Sequence, residues 1–220
     1  MKELAPGVFQ LGGFPPNGIN VYVIDGILVD AATRYAGRRI LRQVRGHEIT
    51  AHALTHAHPD HQGASDRVCE ELGIQFWVGA ADVPAAENPE LIAERQPDHP
   101  IAQFFHKTCA GPGHAVDRPL SEGETIGSFD VLEVPGHSTG HLAFWRESDR
   151  VLVAGDVFNT ANPFTGIPGL RLPYDFFTPD PAENRVSAKR LAALEPSLML
   201  VGHGPPLRDP QKLTEFAASI

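Results

Sequence analysis

Residues 51–61, AHALTHAHPDH, put three histidines and an aspartate into six positions (His56, His58, Asp60 and His61) at the end of a short apolar run. Three other apolar runs break off in a similar way. VPGHSTGH (134–141) places His137 just past a strand end, VLVAGD (151–156) finishes in Asp156, and LMLVGHG (198–204) reaches His203 between Gly202 and Gly204. Neutral imidazole and carboxylate are the usual ligands of zinc-like ions. Apolar strands that run out into such groups are the feature that most limits what this chain can be. His56 and His58 alternate on extended backbone, so both rings point to one side. Asp60 and His61 lie at the turn into the next helix. Four potential ligands in six residues, with more elsewhere, exceed what one tetrahedral ion takes and suit two ions.

The intervening segments supply the layers. Strands are predicted in GVFQLGG, INVYVID and GILVDAA, with Asp25-Gly26 as a hairpin turn. AGRRILRQVR (36–45) carries Ile40, Leu41 and Val44 at helical spacing, and a second helix is expected over about 63–72 before the strand IQFWVGA. Residues 80–115 are punctuated by Pro84, Pro89, Pro97, Pro100 and Pro112 and read as a long insertion with short helices, where lids and binding loops occur. DRPLSEGETIGSFDVLEVPG reads as a ribbon of strands turning at Glu122-Gly123, and LAFWRESDRVLVAGD as a hairpin turning at Ser148-Asp149. An irregular stretch, 157–180, precedes a helix over 181–194 expected to face the core with Val186, Leu191 and Leu194. The strand SLMLVGHG and a helix over about 210–218 follow. This order suggests two mixed β-sheets packed together with helices outside, an αββα sandwich held as a single domain over residues 1–220.

Composition narrows the partners. With 42% hydrophobic and 20% charged residues the chain can bury a core, and a net charge of −9 without a basic run argues against nucleic acid. No apolar stretch approaches the 18 residues needed to span a membrane, and MKELAPGVFQLGG lacks the apolar region of a secretory signal. Cys69 and Cys109 form neither a CxxC pair nor a disulfide framework, so a cytoplasmic location is expected. Oligomeric state leaves no mark in the sequence.

The set THAHPDH…PGHSTGH…AGD…GHG resembles the metallo-β-lactamase fold superfamily of hydrolases, and the resemblance runs from GINVYVIDG and ILVDAA through VDRPLSEGETI to the final GHG. It implies an αββα sandwich with a dinuclear metal site at one sheet edge. His56, His58 and His137 would bind the first ion, Asp60, His61 and His203 the second, and Asp156 would bridge them. The ions implied are divalent, zinc foremost, with iron or manganese accepted by the same ligands. His141 of the GHSTGH motif is expected to support ligands through hydrogen bonds rather than to ligate, and His52 to sit in the core or behind a ligand.

Two divalent cations roughly 3.5–4 Å apart lower the pKa of a shared water from about 15.7 towards neutrality, so a bridging hydroxide becomes the nucleophile and no Ser or Cys is required. Asp60 would then also act as the catalytic proton carrier. No GxSxG, P-loop or dinucleotide fingerprint competes. Within the superfamily, Asp156 argues against the β-lactamase branches, which usually carry Cys or Ser there. The chain is similar to glyoxalase II thioesterases, but their C-terminal helical domain is not expected and DVFNTANPFTG stands where they carry a GCGR-like loop. The Tyr that lactonases place three residues after the bridging Asp is Asn159 here. The expected activity is hydrolysis of a small thioester or ester. A lactonase, a mononuclear-iron persulfide dioxygenase, or a non-catalytic metal-binding or redox protein remain as alternatives. Phe158, Phe164, Tyr174, Phe176 and Phe177 gather in 157–180 around Arg171, so Arg171 and Tyr174 are expected to contact a carboxylate-bearing small-molecule substrate.

Overall fold

The computed structural model describes residues 1–220. The strands are β1 (Lys2–Ala5), β2 (Val8–Gln10), β3 (Tyr22–Ile24), β4 (Ile27–Val29), β5 (Ala51–Ala53), β6 (Gln75–Gly79), β7 (Arg118–Leu120), β8 (Thr125–Ile126), β9 (Phe129–Glu133), β10 (Leu142–Arg146), β11 (Val151–Gly155), β12 (Asn159–Ala161), β13 (Pro168–Arg171) and β14 (Leu198–Val201). Between and after them run the helices α1 (Gly37–Val44), α2 (Pro59–Gln62), α3 (Ser65–Leu72), α4 (Val83–Glu87), α5 (Glu90–Arg95), α6 (Pro100–Cys109), α7 (Pro181–Ala192) and α8 (Pro210–Ala218). One seven-stranded sheet has the order β1-β2-β3-β4-β5-β6-β7, a five-stranded sheet the order β14-β11-β10-β9-β8, and β12 pairs β13 in a separate ribbon.

Local chemistry explains these elements. Asp25 and Gly26 both take positive φ (48° and 79°), the backbone of a tight hairpin whose twist matches that of β3 and β4. In β10, Leu142 and Phe144 face one way and Ala143 and Trp145 the other, the period-two alternation of a strand buried on both faces. Helices α7 and α8 each begin at Asp-Pro: the Asp180 and Asp209 carboxylates accept from the N–H groups of Glu183 and Lys212 (2.9 Å each), and proline fills the first helical position.

Packing makes four layers. Val8, Tyr22, Ile24 and Val29 of one sheet meet Phe129, Val131, Phe144 and Leu200 of the other in the central core. Ile40, Val44 and Val68 of α1 and α3 cover the outer face of the first sheet, against Val23 and Leu28. Ala188, Leu191 and Leu213 of α7 and α8 cover the outer face of the second, against Trp145, Leu152 and Met199. This is the αββα sandwich. Strands β4, β5 and β6 run parallel, as do β11 and β14, with Val29 beside Ala53, Ala53 beside Trp77 and Gly155 beside Val201. Their carboxyl ends therefore open at one edge, where ligands of α/β sheets bind. No helix is long and apolar enough to cross a membrane.

Three expectations change. The ribbon expected over 117–136 divides: β7 pairs β6 in the first sheet, and β8 and β9 open the second, hairpinning at Gly127 (φ 57°). The stretch 157–180 contains the β12–β13 ribbon. Val186 is 68% exposed, because α7 turns Asn184, Ser187, Ala188, Leu191 and Ala192 inward and position 186 falls on the opposite face.

His52 is fully buried on β5. Its Nδ1–H donates to the Leu28 carbonyl (3.0 Å), Ser65 Oγ lies 2.8 Å from Nε2, and the ring stacks on Phe76. Burial pushes its pKa down to about 4, with Asp30 opposing and His114 reinforcing the shift. The folded state therefore holds His52 neutral while the unfolded chain takes up a proton near pH 6.5. The stability it contributes is complete above about pH 6.5 and lost as pH falls towards 4. His52→Gln is expected to show a smaller drop in urea midpoint between pH 7 and pH 5 than the unaltered protein, measured by tryptophan fluorescence.

Candidate metal centre

All the histidines and aspartates that end the apolar runs meet at the open edge. The ligand atoms of His56, His58 and His137 lie within 4.8 Å of one another, as do those of His56, His61 and Asp156, and those of Asp60, His61 and His203. His61 Nε2 is 3.5 Å from Asp156 Oδ1, and His137 Nε2 is 3.7 Å and His203 Nε2 3.1 Å from Asp156 Oδ2. Asp60 Oδ2 is 3.2 Å from His203 Nε2. Asp156 thus sits at the centre and faces both groups of imidazoles.

The outer contacts fix which nitrogen of each ring is free. Asp30, at the end of β4, accepts from Thr55 N (2.8 Å), from Thr55 Oγ1 (2.9 Å) and from His61 Nδ1 (2.9 Å). Thr55 Oγ1 spends its proton on Asp30, so it accepts from His56 Nδ1 at 3.0 Å. Thr178 Oγ1 likewise donates to the Tyr174 carbonyl and accepts from His137 Nδ1 (3.1 Å). His203 Nδ1 donates to the Gly18 carbonyl at 2.6 Å. Four imidazoles therefore tie Nδ1 outward and turn Nε2 inward, the orientation that metal-ligating histidines adopt. Nε2 of His56, His61 and His137 and Oδ1 of Asp156 are buried without any hydrogen-bond partner. Buried acceptors left unpaired are costly, and a cation satisfies all of them together, so these residues fit a metal. His58 differs: its Nε2 contacts Gln96 Nε2 at 3.1 Å, which leaves Nδ1 as its uncommitted nitrogen.

Charge follows the same division. Burial, reinforced by neighbouring imidazoles, holds His56 and His137 neutral far below the ordinary histidine range, and burial lowers His58 to about 4. Burial also works against a charged His61, but Asp156 and Asp30 override it and push the group up to about 10. His203 rises for the same reason beside Asp156 and Asp60. Burial would raise the Asp156 carboxyl, yet His203 and His61 hold it well below the carboxylate range. Asp156, Asp60 and Asp30 together call for positive charge where these rings converge, whether carried by protons on His61 and His203 or by a bound cation.

Backbone shape makes room. A Cβ on Gly202 would stand 1.9 Å from Asp156 Oδ1 and 2.6 Å from His61 Cε1, so only glycine lets β14 pass behind the cluster. His141 Nε2 accepts from Asp156 N at 3.2 Å, which sets the carboxylate's backbone and agrees with a supporting role. Asp82, which the sequence reading did not single out, is 2% exposed and accepts from Ala57 N (2.9 Å), Ser138 Oγ (2.8 Å), Thr139 Oγ1 (3.2 Å) and Gly140 N (2.9 Å). It ties the His56–His58 segment of one sheet to the His137 loop of the other. Gln96 and Thr178 also escaped the sequence reading, since nothing local marks either.

A cavity of about 100 Å³ opens over the centre, lined on one side by His58, Asp60, His137, Asp156 and His203 and on the other by Phe105, Phe164, Tyr174 and Phe177. Tyr174 thus lies on the cavity wall, its hydroxyl accepting from Asn162 Nδ2 (2.8 Å). Arg171 does not line it. The β12–β13 ribbon turns its guanidinium back towards the carbonyls of Gly169 (3.3 Å) and Ile167 (3.5 Å). Phe176 stacks on His99 instead of facing the cavity.

Buried imidazoles and carboxylates able to hold metal converge at the strand ends of an αββα sandwich, and the family match identifies a hydrolase. The chain belongs to the metallo-β-lactamase superfamily, which it matches over residues 14–203. The probable metallo-hydrolase YflN of Bacillus subtilis is 28% identical over 200 residues, covering 82% of this chain and 76% of its own. The hydroxyacylglutathione hydrolase GloC of Haemophilus influenzae is 30% identical over 109 residues, 47% of each chain. A metallo-β-lactamase family protein of Thermus thermophilus superposes with a TM-score of 0.72 at 28% identity, covering 99% of this chain and 80% of that one. TTHA1623, in a di-iron-bound form, gives 0.64 at 28% identity, covering 94% and 93%.

Asp82→Ala leaves four donors without their shared acceptor and is expected to lower unfolding stability by about 3 kcal/mol in urea denaturation. Asp82→Asn, which keeps one oxygen, should lose less.

Proposed function

We propose that this protein is a dinuclear metal-dependent hydrolase of small esters or thioesters, working on a single domain over residues 1–220. His56, His58 and His137 would hold one ion, Asp60, His61 and His203 the other, and Asp156 both. The observation that carries this reading is the set of four imidazoles whose Nδ1–H groups are each tied outward while Nε2 points at Asp156 or its neighbours. Zinc suits these ligands, and the di-iron form of TTHA1623 supports a two-ion occupancy. When bound, such ions supply Lewis acidity to a substrate carbonyl and acidity to a water.

The chain's own groups do the rest. Asp60 lines the cavity with its side chain 19% exposed, in contrast to the nearly sealed Asp156. That placement lets its carboxylate take a proton from an attacking water and return it to the leaving group. Asp30, Thr55 and Thr178 keep the rings from rotating, so the ligand set stays organised through the reaction. The aromatic wall excludes water from the opposite side. The partial similarity to GloC supports a thioester.

Elemental analysis of protein purified without chelators is expected to give close to two metal equivalents. A value fixed at one after metal supplementation would favour a mononuclear dioxygenase. Asp156→Ala should lose most of the metal. Asp60→Asn should retain more metal than that and lose at least about 100-fold in kcat, as measured on a thioester, ester, lactone and persulfide panel. Near-normal turnover by the Asn variant would remove Asp60 from the proton-transfer role.

A further inference from the structure

The wall opposite the metal ligands is apolar and carries no cation. Phe105 packs edge-on against Phe164 and Phe177 at centroid distances of 5.9 and 5.6 Å, and Phe164 lies 5.4 Å from Tyr174. Ile19, Pro163 and Pro173 complete this side, and no Lys or Arg is among the sixteen lining residues. The nearby arginines are engaged elsewhere: Arg171 with the carbonyls of its own turn, and Arg95 with the Ala81 carbonyl at 2.9 Å. A carboxylate reaching this wall would give up water and find no partner. An alkyl chain would instead gain about fourfold in affinity for each methylene it buries.

One neutral polar group is unspent. Asn159 lines the cavity three residues beyond Asp156 and is 2% exposed; its Oδ1 is buried without a partner, and its Nδ2 donates to no protein atom. Its backbone is pinned by pairing with Arg171 across the β12–β13 ribbon, so the amide is held in place. Its Nδ2 is therefore free to donate to an acceptor atom of a ligand in the cavity.

We propose that the cavity selects a short, uncharged, apolar acyl group, with the Asn159 amide donating to the acyl carbonyl and Phe105, Phe164 and Phe177 enclosing the chain. This rests on the ester or thioester hydrolase reading given above. The cavity is only about 100 Å³ and part of it belongs to the metal ligands, so the space beside the aromatic wall suits a short chain. Longer chains pass over Phe164, which is 47% exposed at the rim.

The test compares phenyl crotonate with monophenyl fumarate on the metal-loaded protein. Both are four-carbon trans acyl groups, ending in a methyl and a carboxylate respectively, and the trans double bond stops the carboxylate attacking its own ester. With kcat/KM normalised to each ester's hydroxide-catalysed rate, crotonate should be favoured at least tenfold. Phe177→Ala should reduce that preference without changing metal content, and Asn159→Ala should lower kcat/KM about tenfold on both esters, again with metal retained. Equal rates, or a preference for fumarate, would overturn the proposal. Binding of the non-hydrolysed crotonamide and fumaramate, followed by calorimetry, separates the two readings. Tenfold tighter binding of crotonamide with no turnover of any ester or thioester would sink the hydrolase reading and uphold the selectivity. Turnover combined with charge-blind or anion-favouring binding would do the reverse.

Discussion

The Asp30 carboxylate is the contact on which the centre depends. It stands at the end of β4, 2% exposed and at positive φ (62°), and holds Thr55 and His61 together. Through the Thr55 hydroxyl it also sets the proton on His56. One buried anion thus joins the ends of β4 and β5 to α2 and decides which nitrogen two imidazoles present. Its own charge is tolerated because a backbone N–H, a hydroxyl and an imidazole N–H all point at it.

This network explains why a sandwich with apolar strands can end in so polar an edge. Residues such as Ala53, Val153 and Leu200 are covered on both faces and need no polar partner beyond the ladder. One or two residues further on, the ladder stops and the side chains must be satisfied individually. Four of the imidazoles, His56, His61, His137 and His203, receive outer acceptors: Thr55, Asp30, Thr178 and the Gly18 carbonyl. The inner nitrogens have no protein partner of their own, and the glycine at 202 keeps the space beside Asp156 clear.

Much of this was legible in the sequence because the candidate ligands sit at places that local pattern marks. His56, His58, His137, Asp156 and His203 each follow an apolar run, and glycine accompanies the last three. The layers were legible for the same reason, since strand and helix periods alternate along the chain. What escaped detection acts across long sequence distances. Asp82 meets Ser138 and Gly140, Gln96 meets His58, and Thr178 meets His137, and no local period announces any of these pairs. Val186 was misplaced because α7 buries small and polar residues, Ser187 and Ala188, on its inner face, so the apolar side chain was a poor guide to its phase. The orientation of Arg171 depends on the β12–β13 turn, which composition could not reveal.

Gln96 gives the insertion a second duty. The segment that supplies Phe105 to the cavity wall also rests an amide against His58, and it begins at Asp82, which secures both histidine loops. Cover and centre therefore cannot be exchanged as separate modules. A loop graft meant to alter the cavity would have to carry Asp82 and Gln96 with it, or the new cover would arrive with a loosened floor.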